Sequence, residues 1–375
     1  MRTLATFAGG FSLGIFLAIY LLPEGLWLPC GAASLLLAGL SLLLPRDWRR
    51  RELVLFCALT IGFGYHWMYV RQVQRPMELL TDTEQSVTMT LCDYAAATDY
   101  GAKVTVRVDG LPAKAVYYGE ESLLDLQPGQ TVTDIVYFQS AARIRDTELT
   151  TFTSKGVFLL AYNRGDAVVA EGTKGSLRWL PQRCGKAMKE QIVLLFDEET
   201  AGFLTAILTG DRTLLPRQAG NDLSESGVYH ITAVSGMHCG FLAAAVAFLV
   251  GWHRRRLLAV CTIPLLVFYA LMTGGSPSVV RACVMLSLLL AAPLFRREND
   301  GPTSLLTALM LILLHNPFAA ASVGLQLSFG AVAGILWLTP KLYALLTGGK
   351  RRGKVFSFVA GSLPRPWVRW YLPCR

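Results

Sequence analysis

Charge is scarce in this chain: only 16% of its 375 residues are Asp, Glu, Lys or Arg, against 53% hydrophobic, and the mean hydropathy is +0.42. That balance excludes an ordinary soluble globule and points to a protein with several membrane spans. Histidine is rarer still, five in all, and the eight cysteines are scattered without CxxC or Cys/His spacing, which argues against a zinc or other metal site. No cofactor-binding fingerprint is present. Gly348-Gly-Lys-Arg-Arg-Gly-Lys354 lacks the spacing of a phosphate-binding loop and its Ser/Thr, so an ATP-driven step has to come from a partner. The net charge of +9 alone does not indicate nucleic acid, because a basic excess in a membrane protein is also the topology signal of cytoplasmic loops.

What is present begins with two apolar runs, residues 3 to 22 and 27 to 44, each near the ~20 residues that span a bilayer core. They read as a retained hairpin rather than a cleaved signal, since the first run has a weak basic flank and a second span follows at once. The loop Pro45-Arg-Asp-Trp-Arg-Arg-Arg51 carries four arginines and is expected in the cytoplasm with the N-terminus. A third run, 53 to 70, then leads outward, so residues 1–70 form three transmembrane helices.

Residues 71–185 change character. Ser86 to Leu91, Ala102 to Asp109, Lys114 to Tyr118, Thr131 to Gln139, Gly156 to Tyr162 and Asp166 to Glu171 alternate or are β-rich, with Gly and Pro turns between them. Short strands without intervening helices fit an extracytoplasmic all-β domain, most economically a partly open five-stranded barrel. Tyr117, Tyr118, Tyr137, Phe138 and Phe158 are either its core or stacking platforms for bases. Cys92 and Cys184 both fall on the oxidising side and are a possible disulfide pair.

Residues 186–225 read as an amphipathic helix at 187 to 198 and a short apolar run, Ala201 to Leu208, that lies at the interface or re-enters. Residues 226–355 then hold spans at about 228 to 251, 257 to 273, 279 to 295, 303 to 319 and 322 to 339, with basic loops at His253 to Arg256, Arg296-Arg297 and Lys350 to Lys354 on one side. Loop parity leaves the β domain outside, in agreement with the first hairpin.

Polar groups inside an apolar helix need a reason. Ser226-Gly-Val-Tyr-His-Ile-Thr-Ala-Val-Ser-Gly-Met-His-Cys-Gly240 sets His230, Ser235 and His238 at the mouth of such a helix. His230 and His238 are roughly 12 Å apart along a helix, too far to share one ion. Ser235 and His238 share a face at i and i+3, which admits a serine hydrolase, but no orienting third group or oxyanion hole accompanies them. Gly227, Gly236 and Gly240 equally permit close helix packing, with Ser235 and the histidines bonding between helices. Arg281 either snorkels to the outer interface or turns inward toward an anionic cargo. Gln326 and Ser328 place hydrogen-bonding groups in mid-membrane, and Asp211 and Arg212 are adjacent enough to pair locally.

Ala206-Ile-Leu-Thr-Gly-Asp-Arg212, Leu223 to His238, Pro277-Ser-Val-Val-Arg-Ala282, and Asn316-Pro317 with Gly324-Leu-Gln-Leu-Ser-Phe329 follow one another as the signatures of the ComEC competence proteins do. The chain resembles that family over nearly its whole length, with Leu126-Gln-Pro-Gly-Gln130 before a strand resembling its oligonucleotide-binding-like (OB-like) external domain. The resemblance implies a polytopic α-helical membrane protein with an inserted extracytoplasmic all-β OB-like domain. It implies a channel component, not an enzyme, that carries single-stranded DNA across the cytoplasmic membrane in natural transformation. Implied partners are membrane lipids, other competence proteins including a DNA receptor and an ATP-driven translocase, and further copies of the chain. Asp211, His230, Ser235, Gly236, His238, Arg281, Gln326 and Ser328 become candidates for the translocation path or its lining. An intramembrane serine hydrolase using Ser235 and His238, or a small-solute transporter, are the alternatives; the latter needs an internal repeat that is not evident. Many family members continue into a metallo-β-lactamase-like domain, yet this chain has no HxHxDH motif, so no nuclease is expected. Residues 356–375, with Leu363-Pro-Arg-Pro-Trp-Val-Arg-Trp-Tyr-Leu-Pro373, depart from the apolar continuation and read as a truncated or frameshifted end.

Overall fold

The computed structural model describes residues 3–346 apart from 99, 145–146, 149, 166, 171–175, 228–233, 235, 252, 293 and 295–299. The chain opens with α1 (Thr3–Tyr20), α2 (Trp27–Leu40) and α3 (Arg46–Tyr69); a π turn at Val70–Gln74 carries α3 into α4 (Arg75–Glu78). The α1–α3 packing is close because glycines line it. A Cβ placed on Gly62 would lie 2.5 Å from the Phe11 carbonyl oxygen, and one on Gly14 2.9 Å from that of Leu59.

The helical path continues beyond α3 into the β domain. Met77 of α4 is fully buried in the core of the β domain, and Tyr69, Val73 and Leu80 pack beside it, so α3 and α4 drive directly into the barrel. The strands are β1 (Glu84–Leu91), β2 (Ala96–Thr98), β3 (Gly101–Val108), β4 (Lys114–Gly119), β5 (Thr131–Ser140), β6 (Arg143–Ile144), β7 (Thr147–Glu148), β8 (Val157–Asn163) and β9 (Val168–Ala170), with α5 (Thr150–Thr153) before β8. β1 pairs antiparallel with both β3 and β5, β4 pairs parallel with β8, and β8 pairs antiparallel with β5. The strands therefore close a ring, β1-β3-β4-β8-β5 and back to β1, which is an OB-like barrel. Alternation expects these strands, but the sequence leaves the ring partly open. Seven β1–β5 partner pairs, Glu84 with Tyr137 through Thr90 with Thr131, shut it.

The second half comprises α6 (Leu180–Leu195), α7 (Glu198–Thr209), α8 (Arg217–Glu225), α9 (Gly236–Val250), α10 (Arg255–Met272), α11 (Pro277–Ala291), α12 (Gly301–His315) and α13 (Val323–Leu346). The Asp197 carboxylate caps α7 by accepting from Thr200 N at 3.1 Å, and Gly210 ends it in the left-handed region at φ 81°. Among the described residues, four helical stretches have the length and composition to cross a membrane: Thr3–Tyr20, Glu24–Leu43, Trp48–Glu78 and Arg255–Met272. Gly236–Val250, Ser278–Ala291, Gly301–His315 and Val323–Thr339 are further apolar helical stretches of 10–17 described residues. Pro277 opens α11, and the Asn316-Pro317 break with the 3-10 turn Pro317–Ala321 separates α12 from α13. α1, α3, α12, α13 and that turn share one core around Phe11, Ile15, Leu313 and Phe329; α9, α10 and α11 share another around Val234, Leu266 and Val279.

Candidate functional site

Barrel and helices meet at Asn316. This side chain is 5% exposed, donates through Nδ2 to the Thr153 and Ser154 carbonyls at 3.0 Å each, and accepts from Phe318 N at 3.1 Å. Phe318 then fills an aromatic joint with Phe158 of the barrel and His66 and Tyr69 of α3, at ring separations of 5.5 to 6.2 Å. Asn316 belongs to a motif already evident in the sequence, but its role as the joint is set by a partner 163 residues away.

A second joint lies at the β1–β2 loop. Asp93 lies against the turn after α10: a Cβ on Gly274 would be 3.1 Å from its Oδ2. Burial pushes the Asp93 carboxyl up, against the opposing Tyr94 N–H and the Lys114 charge. Nearby, the Lys186 ammonium of α6 sits 4.7 Å from the Tyr94 ring centroid. Asp211 takes its ion pair from Lys189 of α6, at 2.5 Å, rather than from the adjacent Arg212, and its Oδ1 accepts from Thr213 N at 2.9 Å. Burial would raise the Asp211 carboxyl, but the Lys189 ammonium and the Thr213 N–H outweigh it and hold it below the usual carboxylate range.

The barrel divides its aromatics. Tyr117, Phe138 and Phe158 are buried in its core, with Tyr117 Oη donating to Asp134 at 2.6 Å. Tyr118 faces outward and stacks on Tyr162 at 5.1 Å and 13°. Pleat and register put Lys103, Thr105 and Arg107 of β3 on that same outer face, Lys103 opposite Tyr118 and Arg107 opposite Lys114. Lys103, Arg107 and Lys114 are exposed, with Lys103 beside the half-buried tyrosine stack and the other two four residues along the strands. Cys92 and Cys184 are free thiols in the structure and form no bridge.

Within the helical core, Ser278 Oγ donates to the Val234 carbonyl at 2.8 Å, and a Cβ on Gly236 would stand 3.2 Å from Ala282 Cβ, so Val234 and Gly236 seat on the first turns of α11. Arg281 is buried among the helices. Its residue is 8% exposed, its Nε has no hydrogen-bond partner, and no described residue forms an ion pair with it. Gln326 donates to the Ala320 carbonyl at 2.9 Å and to Tyr20 Oη at 2.5 Å, bonding α13 to α1. Ser328 and His238 are half-buried on α13 and α9. His230 and Ser235 lie outside the described residues, and with them the serine–histidine pairing. Among the described residues no group of three or more His, Cys, Asp or Glu side chains is arranged to hold a metal ion.

Apolar helices long enough to cross a bilayer, joined to an OB-like barrel, define a helical membrane protein with a β domain. Residues 207–369 match the competence protein family, and the chain is similar to that family over this segment. It is 30% identical over 177 residues to ComE operon protein 3 of Bacillus subtilis (strain 168), covering 45% of this chain and 22% of that protein. It is 30% identical over 211 residues to competence protein ComA of Neisseria gonorrhoeae, covering 46% of this chain and 29% of that one. The chain thus spans less than a third of the length of these relatives. No solved structure matches it.

Proposed function

We propose that the chain is a channel component that passes single-stranded DNA across the cytoplasmic membrane in natural competence. The observation that carries this reading is a competence-family helical segment joined to an OB-like barrel whose outer face sets the exposed Lys103 opposite Tyr118 of the Tyr118–Tyr162 stack and the exposed pair Arg107 and Lys114 further along the same strands. Cations track phosphates, and the accessible part of a half-buried tyrosine stack can stack a base without regard to sequence, as non-specific uptake requires. The family match over residues 207–369 supports a role in natural competence. In this reading the N-terminus is cytoplasmic and the barrel is extracytoplasmic, receiving the strand and passing it to the polar core that contains Asp211, Gly236, His238, Arg281, Gln326 and Ser328. A DNA receptor delivers the strand, and an ATP-driven translocase supplies the energy. The test is entry of labelled DNA into a nuclease-resistant cytosolic pool in a transformable host, with the gene deleted and then restored. Loss on deletion and recovery on restoration is the expected result; uptake unchanged by deletion removes the reading.

A further inference from the structure

α13 begins where Arg281 points. Its first hydrogen bonds run from Leu325 N to Ser322 Oγ at 3.4 Å and from Gln326 N to the Ser322 carbonyl at 3.1 Å, leaving the Val323 and Gly324 N–H groups ahead of the intrahelical ladder. A Cβ on Gly324 would lie 3.7 and 3.8 Å from Arg281 Nη2 and Nη1, and 3.8 Å from Ser322 Oγ. Both guanidinium nitrogens therefore face the space left by a missing side chain at a helix N-terminus. Gly324 itself is exposed, so this space is open to an incoming group, while the arginine behind it is 8% exposed.

The electrostatics of that space have one sign. An unpaired buried cation is costly to hold, and the positive end of a 24-residue helix beside it adds to the cost. A planar fork of N–H donors, free backbone N–H groups and a serine hydroxyl are together the donor set for a tetrahedral oxyanion. We infer that Arg281 and the N-terminus of α13, at Ser322 to Gly324, form a seat for a phosphate oxyanion, occupied in turn by successive phosphodiester groups of a single strand. The inference rests on the DNA reading above for its cargo, but not for its chemistry. Gly324 is the specificity element: any larger residue fills the seat. One cation without a carboxylate partner gives a single weak contact, and weak contacts release as well as capture.

The test uses the full chain in nanodiscs of zwitterionic lipid. Thermal unfolding is followed in chloride and in inorganic phosphate at equal ionic strength, and with an oligothymidylate of phosphodiester or of uncharged methylphosphonate linkages. Wild type is expected to be stabilised by phosphate and by the phosphodiester strand but not by the methylphosphonate one. R281Q should weaken the phosphate response about tenfold or more, R281K should retain part of it, and G324L should abolish it with the arginine still in place. R281Q should also melt in chloride at or above the wild-type temperature, because it removes an unpaired charge; an arginine kept for packing would give the opposite. Equal phosphate responses in wild type, R281Q and G324L overturn the seat. A phosphate response without oligonucleotide binding supports the seat and overturns the DNA reading. Oligonucleotide binding indifferent to R281Q and G324L overturns the seat and leaves the DNA reading standing.

Discussion

Asn316 concentrates more consequence in one side chain than any other described polar group. Replacing it with alanine removes two donors from the Thr153 and Ser154 carbonyls and the acceptor for Phe318 N, so N316A should lower stability by about 2 kcal/mol, read by thermal unfolding of the full chain. Proteolysis should then cut first in the β5–β8 connection, which Asn316 holds to the helices. Asp211 makes a pH prediction. Its folded carboxyl titrates below the ordinary value of 3.8, so the Lys189 pair stabilises the protein above that value and is lost as the pH falls through the lower folded value. Both partners are about one-third exposed, which limits the effect to roughly 0.5–1 kcal/mol. The stability difference between wild type and D211N should be constant from pH 7 to about pH 5 and shrink below the carboxylate range; a difference that grows on acidification would contradict the pairing.

Between elements, the α1–α3 contact is set by glycine. A methyl group at Gly62 would meet the Phe11 carbonyl oxygen at 2.5 Å, and main chain cannot move aside as a flexible side chain does. G62A should therefore force the two helices apart and cost about 1–3 kcal/mol. Gly39 of α2 has open space where its Cβ would be, so G39A is the matched control and should be neutral or stabilising by up to about 1 kcal/mol through helix propensity. Melting temperatures of the two variants in the same nanodiscs decide the matter; equal losses would mean that close approach is unimportant.

For the molecule as a whole, the barrel is joined to its own helices at Asn316 and Asp93, while Lys103, Arg107 and Lys114 are exposed on its surface. Strand binding by the full chain should weaken linearly in log K against log salt. Reversing Lys103, Arg107 and Lys114 together to glutamate should reduce that slope by roughly 2, since each single-strand phosphate contact contributes about 0.7. Y118A should cost about 1–3 kcal/mol of affinity with the slope unchanged, because stacking is not ionic. A slope indifferent to the triple reversal would place the receiving surface elsewhere.

Much of this architecture was already in the residue order. Period-two alternation located the main barrel strands to within about two residues, as with Ser86 to Leu91 inside β1, and apolar runs located the helices. The ordered motifs located the family segment. These features are local, and local propensity and patterning express themselves over a few residues. The remaining features joined residues far apart in the chain. β1–β5 pairing closed the barrel, Asn316 found its carbonyls across 163 residues, Lys189 displaced Arg212 as the partner of Asp211, and Arg281 turned toward Gly324. Each outcome depended on which buried surfaces met and which polar groups burial left to be satisfied, and only the packed tertiary structure decides that.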